Sequence, residues 1–346
     1  MKKLRYILFP LSILYGLIVD IRNRCYDFDI CKATAFTAPI IVVGNLNTGG
    51  TGKTPFVEYL VRLLKHRFKI AILSRGYKRK SKEFYLATDK TTVDLIGDEP
   101  MQYHLKFKSI QVAVDANRVQ GVAKLLKFKK KPDVILLDDA YQHRKIKAGL
   151  NILLTSYNDL YVDDYMLPTG NLREKAKNAK RSSHIIVTKC PIDLSEKAKN
   201  EIRLKLKLKA YQKLYFSAII YKKEVVNAFT KITLNDLKKI KVLLVTGIAN
   251  PTPLRVFFKD NNIDFKHLIF RDHHNFTKKD KLFIAKKAQK LNANKTVIVT
   301  TEKDYVRSFM DNKNVFYLPI EIVLLQDEKK ICKEILDYVG KGPRNS

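Results

Sequence analysis

The sequence predicts an α/β protein with a parallel-sheet domain, a second, smaller α/β domain and an N-terminal helix that associates with a membrane. Three observations lead to this prediction. A Gly-rich loop lies between an apolar run and a helical pattern at residues 38–64, short apolar runs alternate with helical patterns beyond it, and the segment Tyr6–Val19 carries no charged residue. Alternation of this kind is typical of parallel sheets that are covered on both faces.

The Gly-rich loop is the most informative stretch of the chain. The apolar run Ile40–Val43 predicts a buried strand, and Phe56, Leu60 and Leu64 recur at helical spacing after the loop. Between them the pattern G-x-x-x-x-G-K-[ST] is matched except at its first glycine, where Asn47 stands. Backbone N–H groups and a helix N-terminus favour bound phosphate. We therefore predict a P-loop NTPase-type domain that binds ATP through eight residues: Asn47, Thr48, Gly49, Gly50, Thr51, Gly52, Lys53 and Thr54. A Gly-rich turn that binds nothing is the alternative.

Polar residues follow the predicted strands of this sheet at their carboxyl ends. Within the loop motif, Lys53 is expected to reach the β- and γ-phosphates and Thr54 to bind Mg²⁺. The apolar strand Ile135–Leu137 ends in Asp138 and Asp139, the Walker B arrangement, in which a carboxylate is held beside Mg²⁺. Ligands of parallel sheets bind at this edge.

Gly97-Asp-Glu-Pro100 places two further carboxylates, Asp98 and Glu99, in a turn. From the residues alone, capping of a helix N-terminus is an equal alternative to a role in the site.

The N-terminal segment is too short for a regular membrane span, which needs about 17–25 apolar residues. No small-x-small cleavage site of a signal peptide precedes Asp20. Basic residues flank the segment, among them Lys2, Lys3, Arg5, Arg22 and Arg24. We expect a helix, residues 1–22, that lies in or dips into an anionic membrane surface; a helix packed in the protein core is the alternative.

The remaining chain is divided between two predicted domains. The first covers residues 23–213, and the second covers 214–346 with a linker strand at its beginning and a last helix that can pack back on the first domain. The second domain contains apolar runs at 242–246, 265–270 and 296–300.

Composition restricts the function. Lys and Arg number 66 against 34 Asp and Glu, a net charge of +32, which favours an anionic partner. We find no RNA-recognition, zinc-finger or helix-turn-helix pattern, and therefore expect no nucleic-acid partner. The four cysteines form no C-x-x-C pair, which favours a reducing compartment.

Seven motifs in one order resemble a known family. They are Gly44-Asn-Leu-x-x-Gly-Gly-x-Gly-Lys-Thr-Pro55, Ser74-Arg-Gly-Tyr77, Gly97-Asp-Glu-Pro100, Asp138-Asp-x-x-Gln-His-Arg144, Asn171-Leu-Arg-Glu174, Asp272-His-His-x-Phe276 and Thr301-Glu-Lys-Asp304. Together they resemble the tetraacyldisaccharide 4′-kinases, the lipid A 4′-kinases. The resemblance implies transfer of the ATP γ-phosphoryl group to the 4′-hydroxyl of an acylated glucosamine disaccharide 1-phosphate. It also implies an enzyme at the cytoplasmic face of the bacterial inner membrane. Separately, we expect a monomer.

The resemblance also implies roles for individual residues. Asp98 is the catalytic base and His273 assists it, on different predicted domains, while Lys53 serves the phosphates. Metal binding falls to Thr54 with Glu99, Asp138 or Asp139, in no order that the sequence decides. Arg75, Arg118 and Arg173 are candidates for phosphate contact, because a guanidinium fork suits phosphate oxygens. Gln142 and His143 are expected to line the substrate site. Surface ion pairs for the arginines and a core position for His143 are the alternatives.

Two functions of other classes remain open at this stage. A deviant-Walker ATPase that acts as a membrane-bound switch would carry a signature Lys where this chain has Thr48. A nucleic-acid-binding ATPase is suggested only by the charge of +32.

Overall fold

The computed structural model describes residues 3–291 and 296–342, with the side chains from Arg5 onwards. The chain divides into two compact units. Unit 1 comprises residues up to 96, 103–219 and 322 onwards, and unit 2 comprises 97–102 and 220–321. The architecture is α/β with two mixed, mostly parallel sheets, as the sequence predicts.

A nine-stranded sheet forms the centre of unit 1. Its strands are β1 (Ile40–Asn45), β2 (Ile70–Ser74), β3 (Tyr85–Leu86), β4 (Gln111–Val114), β5 (Val134–Asp138), β6 (Leu150–Ser156), β7 (His184–Thr188), β8 (Lys213–Tyr221) and β15 (Ile320–Leu324). They lie in the order β15-β8-β7-β6-β1-β5-β2-β4-β3. Strands β1, β2 and β4–β8 pair in parallel, and β3 is antiparallel to β4. The two faces of the sheet each carry a separate apolar core.

A six-stranded sheet forms unit 2, in the order β10-β9-β14-β13-β11-β12. Its strands are β9 (Glu224–Val226), β10 (Lys231–Thr233), β11 (Lys241–Thr246), β12 (Phe265–Ile269), β13 (Thr296–Thr300) and β14 (Val315–Tyr317). Strands β11–β14 pair in parallel, and β9 is antiparallel to both β10 and β14.

Helices connect and cover the strands. They are α1 (Phe9–Asp27), α2 (Lys53–Leu64), α3 (Val93–Ile96), α4 (Asp98–Lys106), α5 (Arg118–Lys127), α6 (Glu196–Leu206), α7 (Leu234–Leu237), α8 (Thr252–Asp260), α9 (Lys278–Leu291), α10 (Glu302–Ser308) and α11 (Glu328–Gly340). Short 3-10 helices cover Lys3–Leu8, Tyr161–Asp163 and Ala176–Arg181.

The division of the chain differs from the predicted domain boundary in two places, and the last helix packs on the first domain, a possibility that the sequence left open. The predicted linker strand is β8, which pairs with β7 and is therefore part of the first sheet. Helix α11 belongs to unit 1, because Ile331, Ile335 and Val339 are buried in a core of that unit. The segment 97–102 belongs to unit 2. Asp98 and His273 consequently lie in the same unit and not in different ones.

Helix α1 has its polar face turned towards the protein. Its buried positions are Ser12, Gly16, Asp20 and Asn23, at helical spacing. The large apolar side chains on the other side of α1, and those of the preceding 3-10 helix, are 37–75% exposed: Tyr6, Ile7, Leu8, Phe9, Leu11, Ile13, Leu14, Leu17, Ile18 and Ile21. A water-soluble helix has the opposite arrangement. The segment Arg5–Asp27 is long and apolar enough to cross a membrane by length and composition.

The segment 164–181 receives the polar face of α1. Ser12 Oγ donates to Thr169 Oγ1 at 2.7 Å, and Asp20 pairs with Lys175 at 2.7 Å and Lys177 at 2.9 Å. Asn23 donates to Glu174 at 2.9 Å. These contacts fix α1 on unit 1 through hydrogen bonds and ion pairs while its apolar face stays uncovered. Lys2, which we predict to flank this helix, lies outside the described residues.

Candidate nucleotide-binding and catalytic site

The Gly-rich loop connects β1 to α2, the strand-loop-helix order that the sequence predicts. Gly49 and Gly52 adopt φ values of +115° and +82°, which side chains with a Cβ rarely adopt. The backbone therefore turns sharply before α2 begins at Lys53. Asn47, which replaces the first glycine of the motif, is buried and donates to Asp164 Oδ2 at 3.1 Å. Thr188 Oγ1 donates to the carbonyl of Thr51 at 2.7 Å and ties the loop to β7.

Lys53 is held by polar groups from two strands. Its Nζ donates to Asn45 Oδ1 at 3.0 Å and lies 3.4 Å from Asp139 Oδ1. Asn45 is fully buried at the end of β1, and its amide donates to the carbonyl of Asn47 at 2.7 Å. The same asparagine therefore orients both the lysine and the first residue of the loop. Sequence reasoning missed Asn45, although it lies inside the quoted motif.

Asp138 and Asp139 differ in their surroundings. Asp138 ends the central strand β5, is fully buried, and accepts from the Tyr103 hydroxyl at 3.3 Å. Asp139 is the next residue and has a φ of +48°, an uncommon backbone conformation of the kind that clusters at functional sites. Burial raises the pKa of Asp139, but Lys53 and Arg173 outweigh it and hold that pKa below the usual range.

Arg173 and Gln142 lie against the strand that carries the loop. Arg173 NH1 donates to both carboxylate oxygens of Asp139, at 3.1 and 3.2 Å. The backbone N–H of Arg173 donates to the Leu46 carbonyl at 2.8 Å, and Gln142 Nε2 donates to the Asn45 carbonyl at 2.9 Å. The predicted residues Lys53, Asp139, Gln142 and Arg173 are thus part of one hydrogen-bonded network.

Arg118 and His143 are held in an electropositive part of unit 1. Arg118 is 3% exposed, and its Nε has no hydrogen-bond partner among the described residues. Burial lowers the pKa of Arg118 to about 10, against the opposing effect of Asp138. Burial, reinforced by Arg118 and Lys145, lowers the pKa of His143 to about 4, so this imidazole is neutral at pH 7. Arg75 is exposed beside the end of β2.

The remaining acidic candidates belong to unit 2. Asp98 begins α4. Its Oδ2 atom accepts hydrogen bonds from Arg307 Nε at 2.7 Å and from Arg307 NH2 at 2.5 Å. Glu99 pairs with Lys303 at 2.7 Å. Both carboxylates lie in the first turn of α4 and accept basic side chains from α10.

His273 is connected to Asp98 through Arg307. It has a φ of +56°, and its Nδ1 lies 3.4 Å from Arg307 NH2. Arg307 NH1 also donates to Asp304 at 3.2 Å and to the carbonyl of His274 at 3.3 Å. Arg307 therefore contacts both members of the predicted Asp98–His273 pair. Sequence reasoning missed it, although it lies one helical turn after the Thr301–Asp304 motif.

The oxygen donors of unit 1 fit a magnesium ion. Mg²⁺ in nucleotide sites takes one or two carboxylates and completes its shell with phosphates and water. Asp138, buried at a strand end, and the buried Thr54 supply such donors. Within residues 3–291 and 296–342 no group of three His, Cys, Asp or Glu side chains could hold a metal by itself. Phosphate oxygens would have to complete the coordination.

Comparison with known proteins gives one family. The model of the family described as LpxK, tetraacyldisaccharide-1-P 4′-kinase, matches residues 4–340. Among curated proteins, the chain is 51% identical to tetraacyldisaccharide 4′-kinase of Flavobacterium johnsoniae over 99% of both chains. It is 44% identical to the enzyme of that name from Phocaeicola vulgatus, over 98% of this chain and 96% of the relative.

A solved structure is similar over nearly the whole chain. It is the crystal structure of LpxK from Aquifex aeolicus in complex with ATP, with a TM-score of 0.81 and 30% sequence identity. The match covers 97% of this chain and 99% of the other.

Proposed function

The chain belongs to the tetraacyldisaccharide 4′-kinase family, and from this membership we propose how its residues carry out the reaction. It acts as a tetraacyldisaccharide 4′-kinase in lipid A biosynthesis. The reaction moves the γ-phosphoryl group of ATP to the 4′-hydroxyl of the acylated disaccharide 1-phosphate. The observation that carries the residue roles is Lys53, oriented by Asn45 and Asp139 at the beginning of α2.

ATP binds through the loop residues 47–54 in this proposal. Phosphoryl transfer depends mainly on positioning and on neutralising charge on the transferred group. Lys53 supplies one positive charge at the phosphates. Arg75, Arg118 and Arg173 are further phosphate contacts, because a guanidinium fork can donate two hydrogen bonds to one phosphate. Gln142 and His143 contact the substrate. The side chain of Gln142 is oriented by its hydrogen bond to the Asn45 carbonyl.

Mg²⁺ would be held by Thr54 and Asp138 and would neutralise charge on the phosphates. Asp139 is already paired with Lys53 and Arg173. We therefore assign Asp139 to orienting these two cations, and we rank Asp138 above Asp139 and Glu99 as the acidic ligand.

Asp98 is the base that accepts the proton of the 4′-hydroxyl, with His273 as its assistant. Their shared contact with Arg307 supports the pairing, because one guanidinium fixes the orientation of the carboxylate and touches the imidazole. A carboxylate is a far weaker base than the sugar alkoxide that would form, so its orientation towards the hydroxyl matters.

Helix α1, whose polar face is buried and whose apolar face is exposed, supports association with the cytoplasmic face of the inner membrane. Its exposed apolar side chains would enter the lipid interface, while the polar face stays on unit 1. A helix with this distribution lies in the interface plane. We further propose a monomer with no nucleic-acid partner, in which residues 1–22 form the membrane-associated segment.

The activity is tested with γ-labelled ATP and the lipid disaccharide 1-phosphate. We expect label in the lipid at the 4′ position and little ATP turnover without acceptor. Acceptor-independent turnover with no labelled lipid would favour the membrane-bound switch, and turnover stimulated by DNA or RNA would favour the nucleic-acid-binding ATPase.

Membrane association is tested by deleting residues 1–22. We expect the truncated chain to leave the membrane fraction on centrifugation and to keep a cooperative unfolding transition. A membrane fraction equal to that of the full chain would contradict the role of α1.

A further inference from the structure

A basic cavity of unit 1 lies beside the end of the apolar face of α1. The cavity has a volume of about 440 Å³ and is lined by Arg22, Ala116, Asn117, His143 and Lys145. Two of these side chains are cationic, one is an imidazole, and none of the five is acidic. The volume falls in the range of small-molecule sites, ~300–1,000 Å³, and so exceeds what a phosphate group alone requires.

Arg22 is turned towards the protein. Its NH2 donates to the carbonyl of Gln142 at 3.0 Å, and its guanidinium lies 5.6 Å from the centre of the Tyr26 ring. On sequence grounds Arg22 is one of the residues that flank a membrane helix. Its contact with Gln142 instead places it beside the segment that follows β5.

The rest of the lining also favours an anion. Ala116 and Asn117 precede α5, a helix of ten residues whose N-terminus adds partial positive charge. Nε2 of His143 is buried and has no hydrogen-bond partner among the described residues. Lys145 is exposed and adds a second mobile cation. Three separate chain segments therefore contribute positive charge or an unpaired polar atom to the lining of one cavity.

The neighbouring apolar surface indicates what kind of anion binds. The exposed apolar face of α1 extends to Ile21, and Arg22 is the next residue. An amphiphile with acyl chains along α1 would bring a polar head to the cavity. The nucleotide has its own site, because none of the loop residues 47–54 lines this cavity.

We infer that this cavity binds the phosphate monoester at the 1-position of the lipid disaccharide, with Arg22 and Lys145 as its charged partners. The inference rests on the proposed function, since it assigns the second anionic group of that substrate. Anchoring the 1-phosphate fixes the disaccharide at the end opposite its reacting 4′-hydroxyl.

The experiment uses the full-length protein in neutral detergent micelles with two acceptors, the disaccharide 1-phosphate and its 1-dephosphorylated analogue. Arg22→Gln and Lys145→Gln are compared with Lys127→Gln, which removes one charge at the exposed opposite end of α5. A lost hydrogen bond to a charged group corresponds to about tenfold to a hundredfold in affinity. We expect kcat/KM for the 1-phosphorylated acceptor to fall by that factor in the first two variants. The analogue and the control should change less than about threefold by the same reasoning.

Several results would overturn the assignment. Equal losses with both acceptors would show that the 1-phosphate is not what these residues bind. A raised KM for ATP with unchanged lipid kinetics would assign the cavity to nucleotide phosphate. Losses that appear only after anionic phospholipid is added to the micelles would assign it to a bulk lipid headgroup.

Two controls keep the test decisive. Arg22→Lys should recover part of the activity, because it restores the charge without the guanidinium fork. Should Arg22→Gln unfold, Lys145→Gln decides alone, because that side chain is exposed. Wild-type protein that phosphorylates neither acceptor would refute the proposed kinase function itself, which is a different result from any of these.

Discussion

The phosphate-loop network of unit 1 and the carboxylate cluster of unit 2 are built in different ways. The network comprises Asn45, Lys53, Asp139, Gln142 and Arg173. Lys53 begins α2, and the other members lie at or beyond the ends of strands or in a loop fixed to them. The cluster comprises Asp98, Glu99, His273, Lys303 and Arg307. Its carboxylates begin one helix, and their partners come from another helix 204 and 209 positions further along the chain.

This difference affects the electrostatics of the acidic groups. In unit 1, burial is outweighed by two cations, and the pKa of Asp139 is lowered. In unit 2, burial dominates at Asp304, whose pKa is raised although Arg307 lies 3.2 Å away. A single arginine shared between Asp98 and Asp304 neutralises each of them less completely than two cations on one carboxylate. The cluster is therefore more sensitive to the loss of one basic residue.

The largest expected effect tests the network. Lys53→Ala should lower kcat by about 10²–10³, the usual cost of losing one preorganised charge at a transition state. The thermal midpoint should change little, because the side chain serves the phosphates and is only partly buried. Steady-state kinetics with the lipid acceptor and a melting curve measure both. Near-normal turnover would contradict the assignment of the loop.

Arg307→Gln tests the cluster and should reduce kcat by about tenfold, part of the ~10²–10⁴ that a general base contributes. It should also destabilise the fold by about 3 kcal/mol, since a buried carboxylate at position 304 loses its partner. Arg307→Lys is the matched control: it restores the positive charge but not the two guanidinium nitrogens that contact Asp98. Retained activity in a folded Gln variant would show that Arg307 does not position Asp98.

The next prediction compares the Mg²⁺ dependence of two variants, each of which changes one carboxylate, one in each region. Asp138→Asn should raise the Mg²⁺ concentration for half-maximal activity by about tenfold or more, because it removes a direct ligand. Glu99→Gln should change it less, because Glu99 is paired with Lys303. Activity is measured across a Mg²⁺ titration at saturating ATP. A larger shift for the Gln variant would reverse our ranking of the ligands.

The smallest effects concern pH and have opposite signs in the two regions. Asp139 has a lowered folded pKa, so its stabilisation is present above pH 3.8 and is lost as pH falls through the folded value. Asp304 has a raised pKa, so its favourable contribution is present below pH 3.8 and is lost as pH rises towards the folded value. Hydrogen exchange measured over each unit between pH 3 and 6 should show these slopes. Asp139→Asn and Asp304→Asn should each remove one of them, and equal slopes in both units would contradict the comparison.

The sequence indicated that Lys53, Asp139, Gln142 and Arg173 belong to one region because its signals there are local. Strand β1, the loop and α2 follow one another within residues 40–64, and the Walker B carboxylates end a neighbouring parallel strand. Parallel pairing alone brings these residues to one edge of the sheet. The apolar runs at 242–246, 265–270 and 296–300 likewise match β11, β12 and β13 to within one residue.

The sequence did not predict the features that depend on distant pairing. Arg307 has no local signature, because its role comes from Asp98, 209 positions away. The position of 97–102 in unit 2 has the same cause. The burial of the polar face of α1 was not predicted, because hydropathy counts apolar residues and does not reveal which face the protein covers.

The exposed apolar face of α1 has a practical consequence for handling the protein. Most helices cover an apolar surface, and removing them exposes it to water and promotes aggregation. The surface beneath α1 presents Thr169, Glu174, Lys175 and Lys177, which water solvates readily. A chain cut after α1 should therefore dissolve without detergent, whereas the full chain requires detergent to mask ten exposed apolar side chains.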